Sequence, residues 1–209
     1  MEGTIPSVAT ARGTVHRSAA ETRSHVLRVA GDLFYLRGIR ATGVDLVAAE
    51  AGVAPTTLYR LFASKDDLVG AYVERADLDF RGRFTAAVDG AGPDPRDRIL
   101  AVFDVVFAEV SSGAFRGCKF LMSLAEFPEP ELPAHRNALA AKSWTRARIG
   151  ELTEALGAPD PAELADHLML LFEGLHASGQ SFGPNGPAKR ARGLAERLLS
   201  AAGPARNGS

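Results

Sequence analysis

Apolar residues recur at spacings of three and four through most of the chain, the signature of helices that bury one face. Val26, Val29, Ala30, Leu33 and Phe34 mark a first helix between Glu21 and Gly38, with Gly38 as its left-handed stop. Val44, Val47, Ala48 and Ala51 give a short second helix an inward face, and small side chains at Ala48, Ala49 and Ala51 let a neighbouring helix come close. Leu58 and Phe62, four apart, mark a third. Later stripes run through Phe103, Val106, Phe107 and Val110, through Leu139, Ile149, Leu152 and Leu156 around Trp144, and through Leu164, Leu168, Leu171, Phe172 and Leu175. Strict alternation, the mark of a half-buried strand, is absent over any five residues. Proline is missing between Pro55 and Pro93, from Arg96 to Phe127, from Ala134 to Ala158 and from Ala162 to Gly183, all helix-sized intervals. Asp89-Gly90, followed by Gly92-Pro93-Asp94-Pro95, reads as a loop. The pattern predicts an all-α protein of about nine helices without internal repeats.

Local signals sharpen the first third of the chain. Thr42-Gly-Val-Asp45 and Ser64-Lys-Asp-Asp67 have the spacing of capping boxes, placing helix starts beside them. Gly52-Val53-Ala54 forms a three-residue turn, and Pro55 opens the third helix in the first-turn slot, where its missing N–H costs nothing. Two short helices around such a turn form a helix-turn-helix. Its second helix turns Thr56, Thr57, Tyr59 and Arg60 away from the inward pair Leu58 and Phe62. That set suits duplex DNA: hydroxyl and guanidinium donors for base edges, free N–H groups at the helix start, and Tyr59 and Lys65 on either side to donate to phosphates.

Composition narrows the function classes. The 209 residues, 46% hydrophobic and 23% charged, suffice for one large domain or two small ones. One cysteine, Cys118, excludes intrachain disulfides and multi-cysteine zinc sites. No apolar run reaches the ~18 residues that cross a bilayer, and Met1 to Glu21 lacks a signal peptide's apolar stretch, so a cytoplasmic protein without a membrane partner is expected. The net charge is −1, but up to Lys65 eight Lys/Arg stand against five Asp/Glu, and beyond it sixteen against twenty. The basic excess therefore sits at the N-terminal end of the chain. Arg12 and Arg17 lie in a stretch poor in anything to bury, read as a solvated tail.

The stretch Ala41-Thr-Gly-Val-Asp-Leu-Val-Ala-Ala-Glu-Ala-Gly-Val-Ala-Pro-Thr-Thr-Leu-Tyr-Arg-Leu-Phe-Ala-Ser-Lys-Asp-Asp-Leu68 resembles the N-terminal domain of the tetracycline-repressor (TetR) family of transcriptional regulators. Ala-Gly-Val, Thr-Leu-Tyr, Phe and Ser-Lys-x-x-Leu carry the likeness, which with the first helix covers about 50 residues. The resemblance implies an Ω-like homodimer that binds a palindromic double-stranded operator, with a variable helical domain that dimerises and takes a small-molecule effector. It puts Thr42, Thr57, Tyr59 and Lys65 at positions that contact phosphate, and Pro55, Thr56 and Arg60 where sequence is read. Two positions depart from the family pattern: Ala54 replaces a capping serine, and Leu61 stands where many members carry His or another polar group. The expected organisation is a disordered tail over 1–20, a DNA-binding domain over 21–67, an effector and dimerisation domain over 68–203, and a disordered tail over 204–209.

Beyond Val73 residue chemistry has to lead. Phe103, Phe107, Phe120, Met122, Trp144 and Phe172, with Glu126 and His176 as polar groups, are the candidate lining of a largely apolar effector pocket; each is also a candidate for plain core packing. Phe115, Phe127, His135 and Gln180 are further candidates. Cys118 beside Arg116 and Lys119 reads as a small buried hydrophobe, with a redox-sensing thiol as the alternative. Glu163 and His167 share a helix face but lack a third ligand, so neither a metal nor a cofactor is expected. Leu168, Leu171, Leu175, Leu194 and Leu198 are expected at the dimer interface, with Gly174, Ser178 and Gly179 permitting close approach. No nucleophile elbow, phosphate loop or His-Glu-x-x-His supports an enzyme. The reading is a dimeric, ligand-released repressor; the alternative is a helical ligand-binding or scaffold protein whose DNA binding has decayed.

Overall fold

Proline and short polar caps set the helix starts in the computed structural model, which describes residues 18–202. Among the described residues nine α-helices run in order, α1 (Ala19–Arg37), α2 (Val44–Ala51), α3 (Pro55–Leu61), α4 (Lys65–Gly90), α5 (Pro95–Val110), α6 (Lys119–Glu126), α7 (Pro133–Ala155), α8 (Pro161–Phe182) and α9 (Ala191–Ala202), with a 3-10 turn at Pro187–Arg190. Proline occupies the first turn of α3, α5, α7 and α8. Ser64, Asp94 and Asp160 accept backbone N–H groups at the starts of α4, α5 and α8.

Several expectations change here. Ser18 and Glu21 form a reciprocal capping box, so ordered helix begins at Ala19, inside the stretch expected to be disordered. The rest of that expectation, including Arg12 and Arg17, and the tail expected over 204–209 lie outside the described residues. Asp89 and Gly90 close the last turn of α4 rather than a loop. The proline-free interval from Arg96 divides at residues 111–118, where Gly113 and Gly117 adopt positive φ. Gly38 has positive φ, but its ψ of 147° lies outside the left-handed helical well. Leu139, expected inward, is exposed.

The core is continuous from end to end. Val26, Ala30 and Phe34 of α1 pack with Val47, Ala48, Ala51 and Leu58 to hold the helix-turn-helix. α4, 26 residues and so about 39 Å long, runs past the expected boundary after Asp67 and packs on α5 and α7. Its Gly70 has no Cβ because one would sit 2.6 Å from Pro133 Cβ of α7. Phe80 on the same helix meets Phe84, Phe120, Trp144 and Phe172 edge to face at centroid distances of 6.0–6.5 Å.

Candidate nucleic-acid interface

The turn between α2 and α3 closes because Gly52 adopts φ 64°, ψ 36°, a left-handed geometry that costs glycine little. Val53 then donates its N–H to Ala48 at 3.0 Å. Ala54 supplies no side-chain cap, so α3 starts on Pro55 alone. Leu58 and Phe62 turn inward, and the Arg23 guanidinium lies 4.7 Å from the Phe62 ring centroid. The α1 side chain of His25 places Nε2 3.0 Å from the Ala51 carbonyl, tying α1 to the end of α2.

This packing leaves one face of α3 outside. Pro55, Thr56 and Arg60 are exposed, Tyr59 is 51% exposed and Thr57 half-buried. Among the described residues the side chains of Thr56, Thr57, Tyr59 and Arg60 make no hydrogen bond or ion pair, so their donors are unspent. Lys65, at the start of α4, gives one of its three donors to the Arg40 carbonyl at 3.1 Å. Leu61 packs half-buried against the core.

Thr42 does not join them. Its side chain is 0% exposed and its hydroxyl donates backwards to the Gly38 carbonyl at 2.8 Å; the cap of α2 is Gly43, without a side-chain bond. A threonine hydroxyl can bond an earlier carbonyl as readily as a later N–H, and here the loop after α1 takes it. The expected phosphate contact from Thr42 and its capping box are therefore both corrected. The Ser64 box forms in part: its oxygen accepts the Asp67 N–H at 3.1 Å, but its hydroxyl donates to the Asp67 carboxylate instead of leaving that group to reach back to the N-cap N–H.

Glu126, expected in a ligand pocket, instead fastens α6 to this head. Its carboxylate accepts the backbone N–H of Ile39 at 3.1 Å and of Arg40 at 2.6 Å, while its carbonyl accepts Arg40 Nε at 2.6 Å. Arg40 also lies 5.1 Å from the Phe127 centroid. At the other end of α6, Tyr35 donates to the Gly117 carbonyl at 3.1 Å and accepts the Arg116 N–H at 2.7 Å. A helix of eight residues is thus held at both ends by groups more than 80 positions away.

The pocket candidates divide. Phe120, Phe172 and His176 come together with Phe80, Thr145, Cys118 and Lys142 around a space of about 30 Å³. Trp144 stands behind them, 5.2 Å from Phe84. Phe103 is sealed in the core, Phe107 packs half-buried on it, and Met122 is half-buried elsewhere on α6. His135 bonds the Phe127 carbonyl at 2.9 Å, and Gln180 is exposed. Sequence reading missed Phe80, Lys142 and Thr145. Lys142 donates to Glu173 at 2.7 Å under the Phe120 and Phe172 rings. Burial, with the Lys142 charge adding to it, pushes the His176 imidazole down to about 4, against a hydrogen bond to the Phe172 carbonyl that favours the charged form. It is neutral at pH 7, with Nδ1–H donated to that carbonyl at 3.0 Å. No group of three metal-ligating side chains occurs among the described residues, and Glu163 and His167 are both exposed.

The expected dimer residues also divide. Leu168 and Leu175 are buried within the protomer, because the apolar stripe of α8 packs on its own α7 and α9. Gly179 serves α5, since a Cβ there would meet Val110 at 2.6 Å. The outward face of α8 instead carries Leu170, 71% exposed, with Gly174, Ala177 and, at its end, Phe182, 68% exposed. Leu194 is exposed on α9, while Leu171 and Leu198 are half-buried.

Comparison with known proteins gives a consistent picture. The profile of the bacterial regulatory proteins of the tetR family matches residues 26–72, from mid-α1 into α4. The crystal structure of SCO4454, a TetR-family transcriptional regulator from Streptomyces coelicolor, superposes with a TM-score of 0.83 at 36% identity, covering 88% of this chain and 96% of that one. The repressor KstR2 of Mycobacterium tuberculosis H37Rv is 34% identical over 142 residues, 66% of this chain and 70% of that protein. The regulator TcmR of Streptomyces glaucescens is 28% identical over 113 residues, 54% of this chain, which spans about half (49%) of that relative's length.

Proposed function

The chain belongs to the TetR family of bacterial transcriptional regulators, and from that membership we propose that it is a cytoplasmic homodimeric repressor that binds a palindromic operator and is released by a small molecule. The relatives are regulators of transcription, not enzymes. One observation carries the DNA reading: the exposed face of α3 holds three unspent donor side chains, Thr56, Tyr59 and Arg60, beside the ammonium of Lys65. Thr56 and Arg60 read base edges, with Pro55 at the groove floor; Thr57, Tyr59 and Lys65 hold phosphates. Half-sites about 34–36 Å apart require two copies in fixed relation, and the outward apolar face of α8 and α9 supplies the contact between them.

Release follows from how α6 is held. The space among Phe80, Phe120 and Phe172 is too small for a ligand body, so an effector entering there displaces α6. The loop leading into α6 is bonded to α1 through Tyr35, α6 itself is bonded to the loop at Ile39 and Arg40 through Glu126, and Lys65 hangs on the same Arg40. A ligand that prefers the displaced arrangement drains the DNA-competent population. The test is fluorescence anisotropy with the duplex flanking the protein's own gene. A nanomolar complex that weakens steeply with salt is expected. Absence of any salt-sensitive complex overturns the regulator reading and leaves a helical ligand-binding scaffold.

A further inference from the structure

A larger space lies elsewhere, a crevice of about 450 Å³ lined by α1 and α4 and by Lys119 of α6. We propose that this crevice is a binding site for a small carboxylic acid with a flat apolar body, held at its carboxylate by Tyr72 and Lys119.

The walls suit such a body. Leu27 and Gly31 of α1 and Tyr72 and Ala76 of α4 are the apolar part of its lining. Gly31 keeps α1 bare where a Cβ would stand 3.2 Å from Tyr72 Cδ2. Its volume falls in the range of sites that enclose small organic molecules, which the space around Phe120 does not.

The polar groups specify the head. Tyr72 is 6% exposed and lines the crevice; its ring is buried, while its hydroxyl makes no hydrogen bond among the described residues and its oxygen is open to the crevice. The phenol O–H is therefore a donor free to meet an acceptor placed in the crevice. Burial raises its pKa far above the ordinary range, so it stays a neutral donor. Most charges around the crevice cancel: Arg28 pairs with Asp32 at 3.3 Å and Arg75 with Asp79 at 2.9 Å. His25 is engaged with Ala51 and Arg28. Lys119 is left without a carboxylate among the described residues, its ammonium 5.0 Å over the Tyr35 ring. One half-buried cation and one phenolic donor on the same lining suit an anionic oxygen acceptor, which gains a charge-assisted bond that a neutral ligand does not.

Such a ligand touches α1 of the reading head and α4 of the body at once, and so alters the angle between them. That consequence rests on the regulator reading; the site itself does not. Lys119, Asp79 and Ala76 also border the smaller aromatic space, so the two spaces share one wall.

The probe is 2-naphthoate, titrated calorimetrically into the full chain against its uncharged isostere 2-naphthamide. Saturable binding is expected, with the amide about tenfold weaker, and with Tyr72→Phe and Lys119→Gln each about tenfold weaker for the acid at unchanged melting temperature. Ser24→Trp, which fills the crevice from the exposed side of α1, abolishes binding, while Thr145→Val in the aromatic space leaves it intact. Equal affinity for acid and amide, indifference to Tyr72→Phe, or no binding up to about 1 mM overturns the proposal. So does loss on Thr145→Val with retention on Ser24→Trp, which places the ligand in the aromatic space. DNA anisotropy on the same samples separates the two readings. Operator binding without naphthoate binding keeps the regulator and removes the crevice; naphthoate binding without any DNA complex does the reverse.

Discussion

Tyr59 and Arg60 are chain neighbours on α3 with different expected duties. Tyr59→Phe or Lys65→Ala is expected to weaken binding to all duplexes alike, with Lys65→Ala lowering the salt slope by about one. Thr56→Val or Arg60→Ala is expected to change which operator is preferred, by about 1–3 kcal/mol at one base pair. Anisotropy titrations on cognate and random duplexes at two salt concentrations check both, and equal losses on both DNAs for all four variants contradict the division. His176 supplies a pH signature. Its folded pKa is about 4, below the unfolded value near 6.5, so its neutral form stabilises the fold fully above about pH 6.5. As pH falls towards 4 the unfolded chain takes the proton first, and up to about 3 kcal/mol is lost. Urea unfolding at pH 7.5 and 4.5 should show a larger drop for the wild type than for His176→Gln. At this scale the outward set on α3 was legible, because Leu58 and Phe62 fix the inward side of a seven-residue helix. Thr42 was not, since a box spacing leaves open which direction the hydroxyl bonds.

Among the elements, α6 shows what periodicity cannot reveal. The proline-free interval from Arg96 does not set it apart from α5, and the bonds that give it a role reach Tyr35 and Arg40 across more than 80 residues of sequence. Glu126→Gln puts an NH₂ where one of two backbone N–H donors needs an acceptor. A loss of about 1–2 kcal/mol is expected, with faster amide exchange at Ile39 and Arg40. Unchanged exchange there refutes the latch. Where α4 crosses α7, Gly70→Ala brings a methyl to 2.6 Å from Pro133 Cβ. The gain in helix propensity, about 1 kcal/mol, is outweighed by overpacking of about 1–3 kcal/mol, and a lowered melting temperature is the expected result. The faces of α8 were misassigned because leucines occupy more than one side of it: Leu168 and Leu175 serve the protomer and Leu170 faces out. Composition cannot rank two apolar sides of one helix; only its neighbours do.

For the molecule as a whole, fold class and the reading head were legible because both rest on local spacing, whereas the joint between head and body and the crevice beside it depend on tertiary placement. The proposed dimer is the part of the regulator reading most exposed to a single change. Leu170→Glu puts a charge into the outward face of α8 without disturbing the core, so light scattering should find monomers that keep their helical content. Operator affinity should fall at least a hundredfold, since one head alone spans one half-site. Retained dimers in that variant move the interface elsewhere. Trp144, the single tryptophan of the sequence, stands edge-on to Phe80 and Phe84 with the Arg81 guanidinium 4.8 Å from its ring. The protein therefore carries its one indole fluorophore at the seam where α4 meets α7, and that emission wavelength follows any repacking there without a label being attached.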